Sequence, residues 1–478
     1  MSEIKTNVLF YGDNLQVLRD HFPDGCIDLI YLDPPFKSQR DYNIFFTDKA
    51  GQESQAQIKA FEDTWRWTPE VELTFQELVT QGRNQTLIDL VQAFRSFMAE
   101  SDLMAYLTMM AIRLQELHRV LKATGSLYLH CDPTASHYLK VLMDAVFGGQ
   151  GFKGEIAWKR TSAHSDTKQG SKQPGRIHDI IFFCTKGKEW VWNPVYTEYD
   201  QSYIDTFYRH TEPETGRRYR LSDLTGAKPG GDTLYEWKGV RPYKGRYWAY
   251  SKEKMEQFER EGRLVYTKSG MPQYKRYLDE MPGIPLQDLW VDIKPPSSKE
   301  RLQYPTQKPL TLLERIIQAS SNEGDVVLDP FCGCGTAVVA AHKLKRRWLG
   351  IDITHLATSL MKGRLEASFP ELKGKIEVVG IPRDLGGAQH LAQQDRHEFQ
   401  YWVCTLLGAL PPSGSPKKGA DKGVDGIVNF FDLTGQARRI IVSVKSGTVH
   451  VKDIRELIQV VDKQKAAIGV LATLEPPT

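Results

Sequence analysis

Two apolar runs, far apart in the chain, end in the same way. Ile27-Asp28-Leu29-Ile30-Tyr31-Leu32 stops at Asp33-Pro34-Pro35-Phe36, and Val326-Val327-Leu328 stops at Asp329-Pro330-Phe331-Cys332-Gly333-Cys334-Gly335-Thr336. Short apolar runs bounded by proline or glycine read as strands buried on both faces. Proline cannot donate to a ladder or continue a helix, so each strand ends where the prolines stand. Each leaves an aspartate at the carboxyl end of a strand, where open α/β sheets gather their ligands.

The rest of the chain alternates in a compatible way. Val8-Leu9-Phe10-Tyr11 reads as a short strand closed by Gly12-Asp13-Asn14, whose polar side chains can cap a helix over 15–21. After a polar stretch dotted with Phe61, Trp65 and Trp67, apolar residues recur at helical spacing from Leu103 through Tyr106, Leu107, Met110, Leu114 and Leu117 to Leu121, with Gly125 as the stop. The pattern then predicts a strand over 126–130, a helix over 137–147, strands over 155–159 and 179–184, and a helix over 310–319. A strand over 326–328, a helix over 337–344 and a strand over 347–351 ending at Asp352 complete it. Such alternation predicts an α/β fold with a doubly wound, mostly parallel sheet.

Composition excludes several classes. A chain of 478 residues, 41% hydrophobic and 25% charged, is neither disordered nor fibrous and has room for several cores. The six cysteines are scattered, and the one close pair, Cys332 and Cys334, sits in a glycine turn with no matching pair. That predicts reduced thiols rather than disulfides or zinc. The N-terminus lacks a signal-peptide apolar region, and no apolar run approaches the roughly 20 residues a membrane span needs. The net charge of +3 says little, but residues 151–190 hold eight Lys/Arg against four Asp/Glu.

Gly333 and Gly335 allow the backbone to approach a ligand at the start of a helix, where free N–H groups point outward. Asp352, at the end of the next strand, is placed to accept hydrogen bonds from ribose hydroxyls. Alone, Gly-x-Gly is equally a packing turn. Upstream, however, Tyr304-Pro305-Thr306-Gln307-Lys308-Pro309 accompanies it. With Asp33-Pro34-Pro35-Phe36, these segments resemble the beta class of DNA amino-methyltransferases, in which the catalytic motif precedes the cofactor motif. Ala60-Phe61-Glu62-Asp63-Thr64-Trp65, residues 121–132 and His178-Asp179-Ile180-Ile181 resemble the Mod-type members, and the likeness spans residues 5 to 365.

The resemblance implies a Rossmann-like domain using S-adenosylmethionine (AdoMet). Thr306, Lys308, Asp329, Phe331, Gly333 and Gly335 would surround the methionine end, Asp352 the ribose and Asp13 the adenine. Asp33, Pro34, Pro35 and Phe36 would be catalytic. An exocyclic aromatic amine is a poor nucleophile because its lone pair is delocalised, so the site must accept its N–H hydrogens as nitrogen pyramidalises. The Asp33 carboxylate and the rigidly held Pro34 carbonyl can do so, and Phe36 offers a ring face to a flipped base. Asp rather than Ser at the first position leans toward adenine N6 over cytosine N4. His130 and Asp132 close a strand, yet a structural histidine fits position 130 at least as well as a base.

Residues 196–301 break the alternation. Twelve aromatics lie between Tyr196 and Tyr250, interleaved with Arg217-Arg218-Tyr219-Arg220, Lys238 and Arg241-Pro242-Tyr243-Lys244-Gly245-Arg246. This mixture suits a surface tracking phosphates and reaching bases, or a small domain with an aromatic core. Beyond a linker at 381–387, a helix over 390–407, Asp425 and a strand over 440–444 followed by Lys445 resemble the Mrr-type restriction-endonuclease fold. Its metal site would map to Asp425, Lys445 and Glu398, but Ser443 stands where an acid or Gln belongs. This favours a non-cleaving DNA-binding or assembly module, and magnesium enters only if the module cleaves.

The organisation expected is therefore a methyltransferase core in two halves, 1–195 and 302–380, a target-recognition insertion at 196–301, the linker, and an endonuclease-like domain at 388–478 that ends as a truncated form would. The partner is double-stranded DNA, in a cytoplasmic restriction-modification or orphan system, prokaryotic or phage-encoded, without membrane. A homodimer and a restriction subunit are both compatible with it. The competing functions are cytosine-N4 methylation, a DNA-sensing or nuclease subunit, and methylation of RNA or protein.

Overall fold

The computed structural model describes residues 4–35, 42–47, 53–61, 66–162, 172, 174–227, 233–298, 300–302, 306–382, 384–409, 424–431 and 436–475. It falls into two compact units, one formed by 1–193 with 288–478 and the other by 194–287. The tail 288–301 of the expected insertion thus lies with the first unit.

The first unit is built on a nine-stranded sheet. Its order is Leu289–Trp290, Phe152–Lys159, His178–Thr185, Leu121–Cys131, Ile27–Leu32, Val326–Asp329, Arg347–Asp352, Val8–Tyr11 and Glu377–Val379. His178–Thr185 runs antiparallel to both neighbours, and every other pair is parallel. The central strands are apolar on both faces because helices cover both: Leu29, Ile30 and Leu32 are fully buried, as are Leu328 and Leu349. One core cluster joins Ile30, Leu32 and Leu328 to Leu18, Leu107, Leu114 and Leu142 from the helices Asn14–His21, Asp102–Val120 and Ser136–Phe147. Helices Leu310–Ser320, Thr336–Lys343 and His355–Ser368 bury Leu313, Ile317, Val338 and Met361 outside that cluster.

The two motif-bearing strands are neighbours, with Leu328 opposite Ile30. Asp28 fixes their register from the other end. Both its oxygens accept from Lys122 Nζ at 2.8 Å, and Oδ2 also accepts from the Val326 N–H at 2.9 Å, 298 residues away in sequence.

Local differences from the sequence pattern have physical causes. The long helix ends at Val120, and the strand begins at once with Leu121. Gly125 is not a helix stop; a Cβ there would lie 2.6 Å from the Leu121 side chain and 3.0 Å from the Asp28 carbonyl, so it is a close-approach glycine inside the strand. The polar stretch holds two helices, Pro69–Gln81 and Gln85–Met98, whose caps Thr68 and Asn84 accept from the backbone N–H groups of Val71 and Leu87. The helix expected over 390–407 is two, Leu385–Gln394 and Arg396–Leu406, broken by Asp395, which caps the second. Consequently Leu385, Gly386 and Gly387 are helical rather than linker.

After these helices, Gly426–Phe431 pairs antiparallel with Ala437–Lys445, which pairs parallel with Ile468–Thr473. Unit 194–287 holds the antiparallel sheet Leu264–Tyr266, Pro272–Tyr277, Arg218–Asp223, His210–Thr211 and an aromatic core of Leu224, Trp237, Trp248, Met255, Phe258 and Met271. Among the described residues, no helix is long and apolar enough to cross a membrane.

Gly350 gives the sheet one sharp test. A Cβ on it would lie 2.9 Å from Cys332 Sγ and 3.1 Å from a Leu9 methyl. Gly350→Ala should destabilise the protein by about 1–3 kcal/mol; an unchanged urea midpoint would refute the tight contact between glycine loop and sheet.

Candidate active site

The carboxyl ends of four adjacent parallel strands bring together Asp33, Asp329, Asp352 and the turn Gly12-Asp13. Tyr11 lies opposite Asp352 in the ladder, and the Gly12 N–H donates to the Asp352 carbonyl at 3.0 Å. The sequence motifs, remote in the chain, meet at one edge.

Asp33 follows Leu32 and is followed by buried Pro34 and half-buried Pro35; Phe36 lies outside the described residues. Its carboxylate forms an ion pair with Lys308, and both side chains are largely buried. Lys308 is delivered by a braced loop. Gln307 Oε1 accepts from the Leu302 N–H at 2.8 Å and its amide donates to the Glu300 carbonyl at 2.9 Å, while the Glu300 carboxylate accepts from Leu310, the first residue of the following helix, at 2.6 Å. Thr306 is exposed on the same loop.

The glycine loop is folded onto Asp352. Gly333 and Gly335 have φ of +52° and +76°, the left-handed region that a side chain disfavours. Gly335 occupies the N-cap of Thr336–Lys343, and a Cβ there would sit 2.7 Å from Met361 Cγ. The Gly333 N–H donates to Asp352 Oδ2 at 2.8 Å, and Thr354 donates to Oδ1 through its N–H at 2.9 Å and its hydroxyl at 3.0 Å. Oδ1 thus has both lone pairs engaged, while Oδ2 keeps one for a ligand. Burial pushes the Asp352 pKa up. Asp329 accepts from the half-buried Phe331's N–H at 3.0 Å, and burial, with Asp33 and Asp352 nearby, pushes it up to about 8. Burial also raises the Cys332 and Cys334 thiols, both unbridged.

Asp13 carries a structural task. Its Oδ1 accepts from Leu15 and Gln16 N–H groups, capping the first helix, and its Oδ2 pairs with Arg113 at 2.5 Å, yet 42% of the side chain remains exposed. Arg113 also donates to Asn14 Oδ1 at 2.6 Å, and the Asn14 amide donates to the Pro330 carbonyl at 2.8 Å. Sequence reasoning missed this clamp between two motifs. Its one trace was an arginine inside the apolar face of a helix.

His130 is fully buried, with Nδ1 at 2.9 Å from the Tyr31 hydroxyl and Nε2 at 3.1 Å from Asp179. Burial, foremost, lowers its pKa. Through the Tyr31 hydroxyl it braces the strand that carries Asp33.

The endonuclease-like candidates have other partners. Asp425 Oδ2 accepts from the Val444 N–H at 2.6 Å, Lys445 pairs with Asp453 at 3.2 Å, and Glu398 accepts from the His355 N–H at 3.1 Å. No group of three or more His, Cys, Asp or Glu side chains among the described residues is arranged to hold a metal.

Residues 27–362 match the model of the N6/N4 DNA methylase family, and the chain belongs to that family. The type II methyltransferase M.EcaI of Enterobacter cloacae is 32% identical over 265 residues, covering 54% of this chain and 57% of that protein. The StyLTI Mod subunit, a type III restriction-modification enzyme component of Salmonella typhimurium, is 26% identical over 355 residues, covering 71% and 50%. The chain thus spans about half the length of these curated relatives. Residues 411–478 match a model described as NACHT-associated inactive restriction endonuclease 1. The structure of a Thermus thermophilus DNA modification methylase complexed with AdoMet covers 78% of this chain and 97% of its own, at 16% identity and a TM-score of 0.37, too loose a superposition to add to the family match.

Asp329 makes the site's stability pH-dependent. Because its folded pKa lies above the ordinary 3.8, its contribution is complete below that value and is lost as pH rises through about 8. Asp329→Asn, which keeps the acceptor for Phe331, should melt about 2–4 °C higher than wild type at pH 9 and close to it at pH 5. Parallel pH profiles of melting temperature would refute the assignment.

Proposed function

We propose that the protein is an AdoMet-dependent DNA methyltransferase that modifies adenine N6 on a base turned out of the duplex. The observation that carries this is the spacing of its two polar ends. Asp33 and Asp352 terminate strands separated by one strand, Val326–Asp329, which itself ends in the glycine loop. Two strand spacings are about 10 Å, so an acceptor for a substrate amine and an acceptor for a ribose flank a loop built for a ligand.

Bound AdoMet supplies an electrophilic methyl group. In this reading Thr306, Lys308, Asp329, Phe331, Gly333 and Gly335 hold its methionine end, Asp352 its ribose and Asp13 its adenine edge. Lys308 holds Asp33 in place through their ion pair, and the Asp33 carboxylate and the Pro34 carbonyl can accept the amine's hydrogens as its lone pair is freed. Pro35 fixes that carbonyl, and Phe36 stacks on the base. The amine becomes acidic once it carries the methyl group, so no buried base such as His130 is needed.

Unit 194–287 is the proposed reader of duplex DNA. Tyr196, Tyr243 and Tyr266 are exposed on it, as is Lys244. Much of its positive charge is internally paired: Arg217 with Asp279 and Glu280, Arg218 with Asp205, Arg246 with Asp223. Base contact by aromatic residues therefore takes a larger share than the basic runs suggest. The C-terminal domain serves binding or assembly, since Ser443 replaces a metal-binding acid and Lys445 is held by Asp453; magnesium has no part in methylation. By analogy with the Mod relative, a restriction subunit is a fitting partner in a bacterial cytoplasm.

Labelled methyl transfer from AdoMet to plasmid and genomic DNA, followed by nucleoside mass spectrometry, should yield N6-methyladenine; N4-methylcytosine would overturn the base assignment. Asp33→Ala should lower turnover by at least about 100-fold with AdoMet affinity little changed, and retained turnover would refute its role. Asp352→Ala should weaken AdoMet binding by about 10-fold or more in calorimetry; unchanged affinity would exclude a ribose contact.

A further inference from the structure

Glu398 suggested a nuclease ligand by sequence, but its position in the fold serves a different site. It lies in the first turn of Arg396–Leu406, where Asp395 Oδ1 accepts from its own N–H at 3.1 Å and so fixes its backbone. Its side chain reaches across to the methylase core, accepting from the His355 N–H at 3.1 Å and from the Tyr11 hydroxyl. His355 opens the helix that follows Asp352, and its N–H is one of the donors that a helix leaves without an internal partner.

The surroundings make this a joint rather than a chance contact. The Tyr11 ring stacks on His355 with centroids 3.7 Å apart and planes at 23°, and it packs against the C-terminal core of Ala388, Leu391 and Phe399. Tyr11 is also the ladder partner of Asp352. The segment 352–355 is therefore held at one end by the Asp352 carboxylate, through Thr354, and at the other by Glu398. Ile353, which follows Asp352 in this segment, is 49% exposed.

Burying these groups is costly. Burial, foremost, with Asp395 and Asp352 adding to it, pushes the Glu398 carboxyl up to about 7, and His355 Nε2 is buried without a hydrogen-bond partner among the described residues. A contact retained solely for stability is poorly served by such groups.

We propose that Glu398 is a positioning residue for the methyl-donor site, by which the endonuclease-like domain sets the turn that presents Asp352 to the donor's ribose. The inference rests on the donor role given to Asp352 above. It assigns the C-terminal domain a part in methylation itself, independent of any cleavage.

The test uses the full chain, with AdoMet binding by calorimetry, duplex DNA binding by anisotropy and the KM for each. Glu398→Ala should raise the Kd and KM for AdoMet about 10-fold and leave DNA affinity unmoved, whereas Glu398→Gln, which keeps an acceptor for the His355 N–H, should stay within about threefold of wild type. Equal AdoMet affinity in Glu398→Ala and wild type overturns the proposal. So does a loss of AdoMet and DNA affinity together in both variants, because a purely structural residue behaves that way. Wild-type protein that binds no AdoMet overturns instead the donor reading on which the proposal stands.

Discussion

The parallel pairing of Ile27–Leu32 with Val326–Asp329 is the constraint on which everything at the site depends. Asp28 secures it from the amino ends by binding Lys122 and the Val326 N–H together. With that register set, Asp33 and the glycine loop emerge side by side, and Arg347–Asp352 and Val8–Tyr11 extend the same edge. The sheet is both scaffold and alignment device, because strand spacing sets the distances between the motifs.

Gathering carboxylates at one edge creates an electrostatic problem that the fold meets unevenly. Asp33 is matched by Lys308 and Asp13 by Arg113, each an ion pair spanning remote parts of the chain. Asp352 is satisfied by backbone and hydroxyl donors. Asp329 has a single backbone donor and lies between two other acids, so its proton is retained up to about pH 8. A proton kept on Asp329 relieves repulsion at this edge without a further cation.

Much of this was legible in the sequence because each motif marks itself locally. Asp33-Pro34-Pro35 and the turn at Gly333 and Gly335 announce strand ends, and the apolar runs before them announce burial; these strands appear within a residue or two of expectation. What stayed hidden depends on tertiary contacts. Arg113 is an ordinary helical arginine until Asp13 and Asn14 come to it, and Gly125 looks like a helix stop until Asp28 lies beneath it. Arg217 and Arg218 look free for phosphate until Asp279, Glu280 and Asp205 are placed beside them. Glu398 was noticed for its type, but its bond to the His355 N–H had no local signal, because sequence alone does not say which element a side chain will face.

The wide separation of the paired strands has a consequence during synthesis. The first strand leaves the ribosome early, and its partner lies 298 residues further along. At about 5–20 residues per second that is roughly 15–60 s of translation. Until then Ile27–Leu32 lacks a neighbour on the side where the glycine loop belongs, and a parallel edge cannot be closed by a local hairpin. Any translation product that terminates before Asp352 therefore carries Asp33-Pro34-Pro35-Phe36 and the glycine loop without the carboxylate onto which that loop folds.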